Sequence, residues 1–180
     1  MTSWIHASVM LAALTGTPTI AAQTAPPDGA HDFDWELGAW STQVRVRAPL
    51  STAEDWTEFR GTSVVRPLGQ GRANVVELSV ASGDRRIEGV SLRLYNPRTR
   101  QWSLNFANLK NGLLTTPVYG GYKDGKGVFH GQDTVDDRVV WVRFEISVIS
   151  PTSARFEQAY SADGGRSWIV NWVATDTRAS

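Results

Sequence analysis

The sequence predicts an all-β fold, a single up-and-down antiparallel barrel of about ten strands, and three observations carry that prediction. From Ser41 onward apolar residues alternate with polar ones: Val44 and Val46 stand between Gln43, Arg45 and Arg47, the period of two expected of a half-buried strand. The same pattern returns after each short cluster of turn residues. Beyond Gly38, no stretch of about ten residues keeps the 3.6-residue period of a helix. A meander with one apolar face is completed most stably by closing, which removes both exposed edges. At about ten strands the interior is wider than its own side chains fill, so a cavity is expected.

In chain order, residues 1–22 read as a secretory signal peptide. Residues 7–22 are apolar or small and uncharged, and Ile20-Ala21-Ala22 before Gln23 is a small-residue ending, although Met1–His6 supply no Lys or Arg. The expected localisation is therefore periplasmic or secreted. The run is too short and too broken by Thr and Pro18 to span a bilayer. Residues 23–30 read as a linker, with Pro26, Pro27 and Gly29, and residues 31–180 as the barrel domain. After the strand at Ser41, further strands are expected near Trp56–Val65, Asn74–Val80, Gly89–Tyr95, Gln101–Asn108, Leu113–Tyr122, Gly127–Asp133, Arg138–Val148, Ala154–Ser161 and Trp168–Thr175. The separators have turn chemistry. Gly69, Gly71 and Gly83 supply positive φ, Asn96-Pro97 starts a turn, and Lys123-Asp124-Gly125 suits a hairpin.

Composition excludes several classes of function. Eighteen Lys and Arg balance eighteen Asp and Glu, so the basic excess that nucleic acid or an anionic membrane requires is missing. Without cysteine there is no disulfide, thiolate nucleophile or Cys-based zinc site. The three histidines, His6, His31 and His130, lie far apart, so no metal site is expected.

The stretch Phe33-Asp34-Trp35-Glu36-Leu37-Gly38-Ala39-Trp40 resembles the opening of calycin barrels, where a short helical turn precedes a Gly-x-Trp on the first strand. That resemblance implies that Trp40 plugs one barrel end under a basic residue from the last strand, a place Arg178 fills. A wider stretch, Phe33 to Arg178, is similar to a largely uncharacterised bacterial lipocalin-like family. Arg93-Leu94-Tyr95-Asn96-Pro97, Gln101-Trp102-Ser103 and Phe156-Glu157-Gln158-Ala159-Tyr160-Ser161 carry that likeness. It implies a fold and no reaction. Neither the terminal helix of lipocalins nor the helical lid of fatty-acid-binding proteins has a counterpart here. Nitrobindin-like haem barrels need an axial histidine, for which only His130 is placed, and no cofactor is expected.

Ser161-x-Asp163-Gly164-Gly165-Arg166-Ser167-Trp168 resembles an Asp-box. It occurs once rather than once per blade as in sialidases, so Ser161, Asp163, Gly165 and Trp168 are read as hairpin construction. With Ser161 opposite Trp168, Glu157 faces Trp172; with even-numbered residues of the last strand inward, Glu157 also points inward. A carboxylate inside an apolar barrel is paired, hydrogen-bonded or protonated, and the last case makes it an acid or base. A register slip of one brings in Gln158 and Asn171 instead.

The leading expectation is thus a barrel binding a small apolar or aromatic ligand. Trp102, Phe106, Tyr119, Phe144 and Trp172 form its walls, and Glu157, Gln158 or Asn171 orient the ligand. The alternative is a cofactor-free isomerase, hydratase or cyclase using Glu157 or His130 as acid or base. A third reading is an interaction module with a filled interior and exposed Trp residues.

Overall fold

A computed structural model describes residues 28–179, and the reading of residues 1–27 lies outside them. A 3₁₀ turn, Asp34–Glu36, leads into β1 (Gly38–Val46), β2 (Thr57–Leu68), β3 (Ala73–Ser82), β4 (Arg85–Asn96) and β5 (Gln101–Asn108). There follow β6 (Leu113–Leu114), β7 (Val118–Lys123), β8 (Lys126–Val135), β9 (Arg138–Ser150), β10 (Ser153–Ser161) and β11 (Ile169–Arg178). Strand order is β4-β3-β2-β1-β11-β10-β9-β8-β7-β5, and β5 pairs back onto β4. The sheet is therefore a closed, antiparallel, up-and-down barrel with almost no helix, which agrees with the calycin-like fold expected from the sequence.

One expected strand is divided. The run Leu113–Tyr122 becomes the two-residue β6 and then β7, separated by Thr115-Thr116-Pro117. Thr115 still donates its backbone N–H to the Phe106 carbonyl at 2.8 Å, but Pro117 has no N–H to continue the ladder. β6 extends the pairing of β5 at one rim, leaving ten long strands around the barrel.

Alternation sorts the core. Trp40, Thr42 and Val44 of β1 are each at most 2% exposed, whereas Ala39, Ser41, Gln43 and Arg45 between and beside them face outward. At the end where β1 starts, the chain folds over the barrel. Phe33 meets Trp102 edge-on with ring centroids 4.9 Å apart and Tyr122 at 5.1 Å, and the Trp102 indole N–H donates to the Gly29 carbonyl at 2.8 Å. Gly29 and Ala30 thus already pack against the strands. The Arg178 guanidinium lies 4.1 Å from the Trp40 ring centroid and donates to the Leu37 and Trp35 carbonyls at 2.8 and 2.6 Å. Gly38 permits this closure. Its φ is +115°, and a Cβ there would sit 3.0 Å from Arg178 Nη1.

A polar-floored cavity inside the barrel

The interior holds a cavity of about 180 Å³. Phe106, Phe144, Phe156 and Trp172 supply its aromatic walls, with Leu104, Val118, Val142 and Ile146 between them. Phe144 and Phe156 lock edge to face, with centroids 5.1 Å apart. These side chains come from β5, β9, β10 and β11, because each strand's inward parity falls on its bulky apolar residues. Thr115 and Thr116, from the break between β6 and β7, add hydroxyls to the lining.

Two polar groups interrupt this surface. Thr42 and Asp176 oppose each other across β1 and β11, and the Thr42 hydroxyl donates to Asp176 Oδ1 at 2.5 Å. Ser63 Oγ lies 2.9 Å from Thr42 Oγ1. An ionised carboxylate only accepts, so the Thr42 proton is committed to Asp176 and the Ser63 hydroxyl donates to Thr42. Burial, opposed by the Thr42 hydrogen bond, pushes the Asp176 carboxyl up to about 6. Behind this group Arg93 forms a buried, two-pronged ion pair with Glu36 and stacks over Phe33 at 4.4 Å.

The second polar group lies on β8, β10 and β11. Gln158 Nε2 donates to Asn171 Oδ1 at 3.2 Å and to the Tyr160 hydroxyl at 3.1 Å, and that hydroxyl donates to Asp133 Oδ2 at 2.8 Å. Burial and the Asp133 acceptor raise the Tyr160 phenol, which therefore stays a protonated donor. Asp133 belongs to the cavity wall, apart from the turn that follows it. That turn is made by Asp136 and Asp137, both at positive φ.

The anticipated residues divide between the two faces of the sheet. Phe106, Phe144, Gln158 and Trp172 line the cavity. Trp102 points inward but is 1% exposed, sealed in the plug below the cavity. Asn171 is buried at a bulge in β11 and reaches the cavity only through Gln158. Tyr119 and His130 are exposed on the outer face, where His130 lies 5.9 Å from the Trp168 ring. Glu157 also faces outward and pairs with Arg155 at 2.5 Å.

The Glu157 expectation therefore needs correction, and the cause is local. Pairing runs Tyr160 to Ile169 and Ala159 to Val170, but Gln158 then meets Trp172, with Asn171 the extra residue. The bulge reverses parity along β11. Even-numbered residues point inward only from Trp172 onward, and Gln158, not Glu157, stands beside Trp172. Trp168 accordingly lies outside, 4.6 Å beneath the Arg143 guanidinium.

The loop before it is built as hairpin construction. Asp163 accepts the backbone N–H groups of Arg166 and Ser167 at 3.0 and 2.9 Å, Gly165 N–H donates to the Ser161 hydroxyl at 2.8 Å, and Trp168 Nε1 donates to the Gly165 carbonyl at 3.1 Å. The Ser167 hydroxyl donates to the same Asp163 carboxylate, and together these bonds hold it well below the usual carboxylate range.

Sequence reasoning missed Thr42, Ser63, Arg93, Asp133, Tyr160 and Asp176. Parity alone reaches two of them, because Thr42 lies between Trp40 and Val44, and Asp176 lies between Ala174 and Arg178. Among the described residues, no group of three or more His, Cys, Asp or Glu is placed to hold a metal ion, and no helix is long and apolar enough to cross a membrane.

Neither a family model nor a curated protein matches the sequence. Among solved structures the chain is similar to an S-type phycobiliprotein lyase, CPES from Guillardia theta, at 12% identity and a TM-score of 0.58, covering 82% of this chain and 90% of that one. A redesigned β barrel (14% identity) and the protein EF1p2_mFAP2b bound to DFHBI (12% identity) each align at a TM-score of 0.47. They cover 83% and 84% of this chain, and 96% and 99% of their own. The likeness to the lyase establishes the calycin-like barrel fold, and the fold alone.

Proposed function

We propose that the protein is exported to the periplasm or beyond and that its barrel binds a small, mostly apolar or aromatic molecule. The observation that carries this reading is the interior cavity of about 180 Å³ walled by Phe106, Phe144, Phe156 and Trp172 and interrupted by a few polar groups. Size narrows the ligand. An apolar protein cavity of about 150 Å³ admits benzene, and drug-sized ligands need about 300 Å³ or more. The fitting guest is one substituted ring or a short chain. Export rests on the leader at residues 1–22, and membership of the uncharacterised lipocalin-like family rests on the opening at residues 33–40 with the stretches 93–103 and 156–165.

Native mass spectrometry of protein gently purified from its own host tests the binding reading. A co-purifying species of about 100–200 Da, released on unfolding, is the expected result. Fractionation of cells expressing the full chain tests export, with cleaved protein outside the cytoplasm as the expected outcome.

One observation favours a second reading. The cofactor-free enzyme anticipated from the sequence loses both its residues to the outer face, but Asp176 faces the cavity with its carboxyl near neutrality. An isomerase, hydratase or cyclase would use Asp176 as its acid or base. Such an enzyme releases its product, so the absence of a bound species together with turnover lost in Asp176→Asn favours it over a carrier.

A further inference from the structure

The cavity's hydrogen-bonding groups are unevenly divided. Among the described residues, Arg93 is the one cation whose charged head belongs to the lining, and its terminal nitrogens are held by Glu36. Its remaining Nε is buried and sealed from the cavity. Arg155 contributes to the lining too, but its guanidinium is paired with Glu157 on the outer face. Among the amide, phenol and paired hydroxyl donors, Gln158 is engaged by Asn171 and Tyr160, Tyr160 by Asp133, and Thr42 by Asp176. The Thr115 and Thr116 hydroxyls are neutral groups that both donate and accept, so the imbalance is one of negative charge. With Glu36 cancelled by Arg93, the lining keeps Asp176 and Asp133 as uncompensated anions, beside walls made of aromatic rings.

Resting on the ligand-binding reading, we propose that the ligand is a small protonated amine carrying an aromatic or short apolar body, its ammonium held by Asp176. Three physical arguments favour it over an acid or a neutral guest. A carboxylate would meet two anions with no free cation to receive it. A neutral apolar molecule would leave the buried negative charge without a counter-charge, whereas an ammonium brings one together with three donors. The ring faces of Phe106, Phe144, Phe156 and Trp172 attract a cation and pack its apolar body. The charged and titratable groups around Asp176 are Glu36, which disfavours its ionisation, and Arg93, which favours it; Thr42 donates to it, and Ser63 supports Thr42 from behind.

Three probes of nearly one shape decide the question: phenethylamine, phenethyl alcohol and hydrocinnamate, titrated by calorimetry into the protein purified from its own host, near pH 7.5. The amine is expected to bind about tenfold or more tighter than the alcohol, and hydrocinnamate weakest. Asp176→Asn should bring the amine and alcohol within about threefold of one another. Should that variant fail to fold, the wild-type protein carries the same test. Lowering the pH from about 7.5 to about 5 should weaken the amine several-fold and leave the alcohol unchanged. Equal or tighter binding of the alcohol or the acid overturns the amine assignment while leaving the binding reading intact. An amine preference that ignores both Asp176 and pH overturns the assignment to this carboxylate. Binding of none of the three overturns the cavity reading, and this inference with it.

Discussion

At the scale of single residues, Asp176 carries a largely buried carboxyl that faces the cavity with no cationic side chain bound to it among the described residues. Its carboxyl is raised to about 6 from the ordinary aspartate value of 3.8, so the native state holds the proton more tightly than the unfolded chain. Between those values the native state binds more protons. Its contribution is therefore fully present below about pH 4 and is lost as pH rises through about 6, a difference of at most about 3 kcal/mol. Denaturant midpoints measured across this window should fall with rising pH in the wild type and stay level in Asp176→Asn, which should also be the more stable of the two at neutral pH.

Arg178 is a residue of the opposite kind, with no role in the cavity. Removing it leaves the Trp40 face bare and two plug carbonyls without a donor, so Arg178→Ala should lower stability by about 2–3 kcal/mol, read as a drop in melting temperature. Gly38→Ala should cost about 1–2 kcal/mol at the same place, through strain at its φ of +115°.

At the scale of elements, the hairpin from β10 to β11 separates construction from binding. Asp163→Ala should speed amide exchange at Arg166 and Ser167, whose N–H groups it accepts, and leave ligand affinity unchanged because no residue of the loop lines the cavity. The same hairpin shows why the site was only partly legible in the sequence. Period-two alternation placed every long strand, because each has an apolar face that burial enforces. It placed Phe106, Phe144 and Trp172 on the cavity for the same reason. It misplaced Glu157 because one extra residue, Asn171, reverses parity within β11, and an inserted polar residue has no signature in an alternating pattern.

Tyr119 was misread through the strand break before it. Val118 is 1% exposed and takes the inward position, which turns Tyr119 out. Arg93 and Glu36 were beyond reach for a different reason. Their pairing joins the 3₁₀ turn to β4 across the barrel, and only the closed topology brings those segments together.

At the scale of the whole molecule, closure needs close backbone approach as well as a continuous ladder. A Cβ at Gly120 would lie 1.9 Å from the Val128 carbonyl oxygen, so Gly120→Ala should force β7 from β8 and lower stability by several kcal/mol, on the order of the larger single-residue effects. The barrel so closed is filled at the plug by Phe33, Trp40, Trp102 and Phe129, each at most 1% exposed, and left unfilled above it.

That unfilled volume is the central claim. The most direct measurement is an isotope-labelled NMR titration with phenethyl alcohol, a neutral probe that does not presuppose the amine assignment. Saturable shifts confined to the inward residues Phe106, Phe144, Phe156, Trp172 and Ala174, and abolished by the cavity-filling Ala174→Phe, are the predicted result. Shifts that gather instead around the outward Tyr119, His130 and Trp168, or no saturable shift at all, would contradict it.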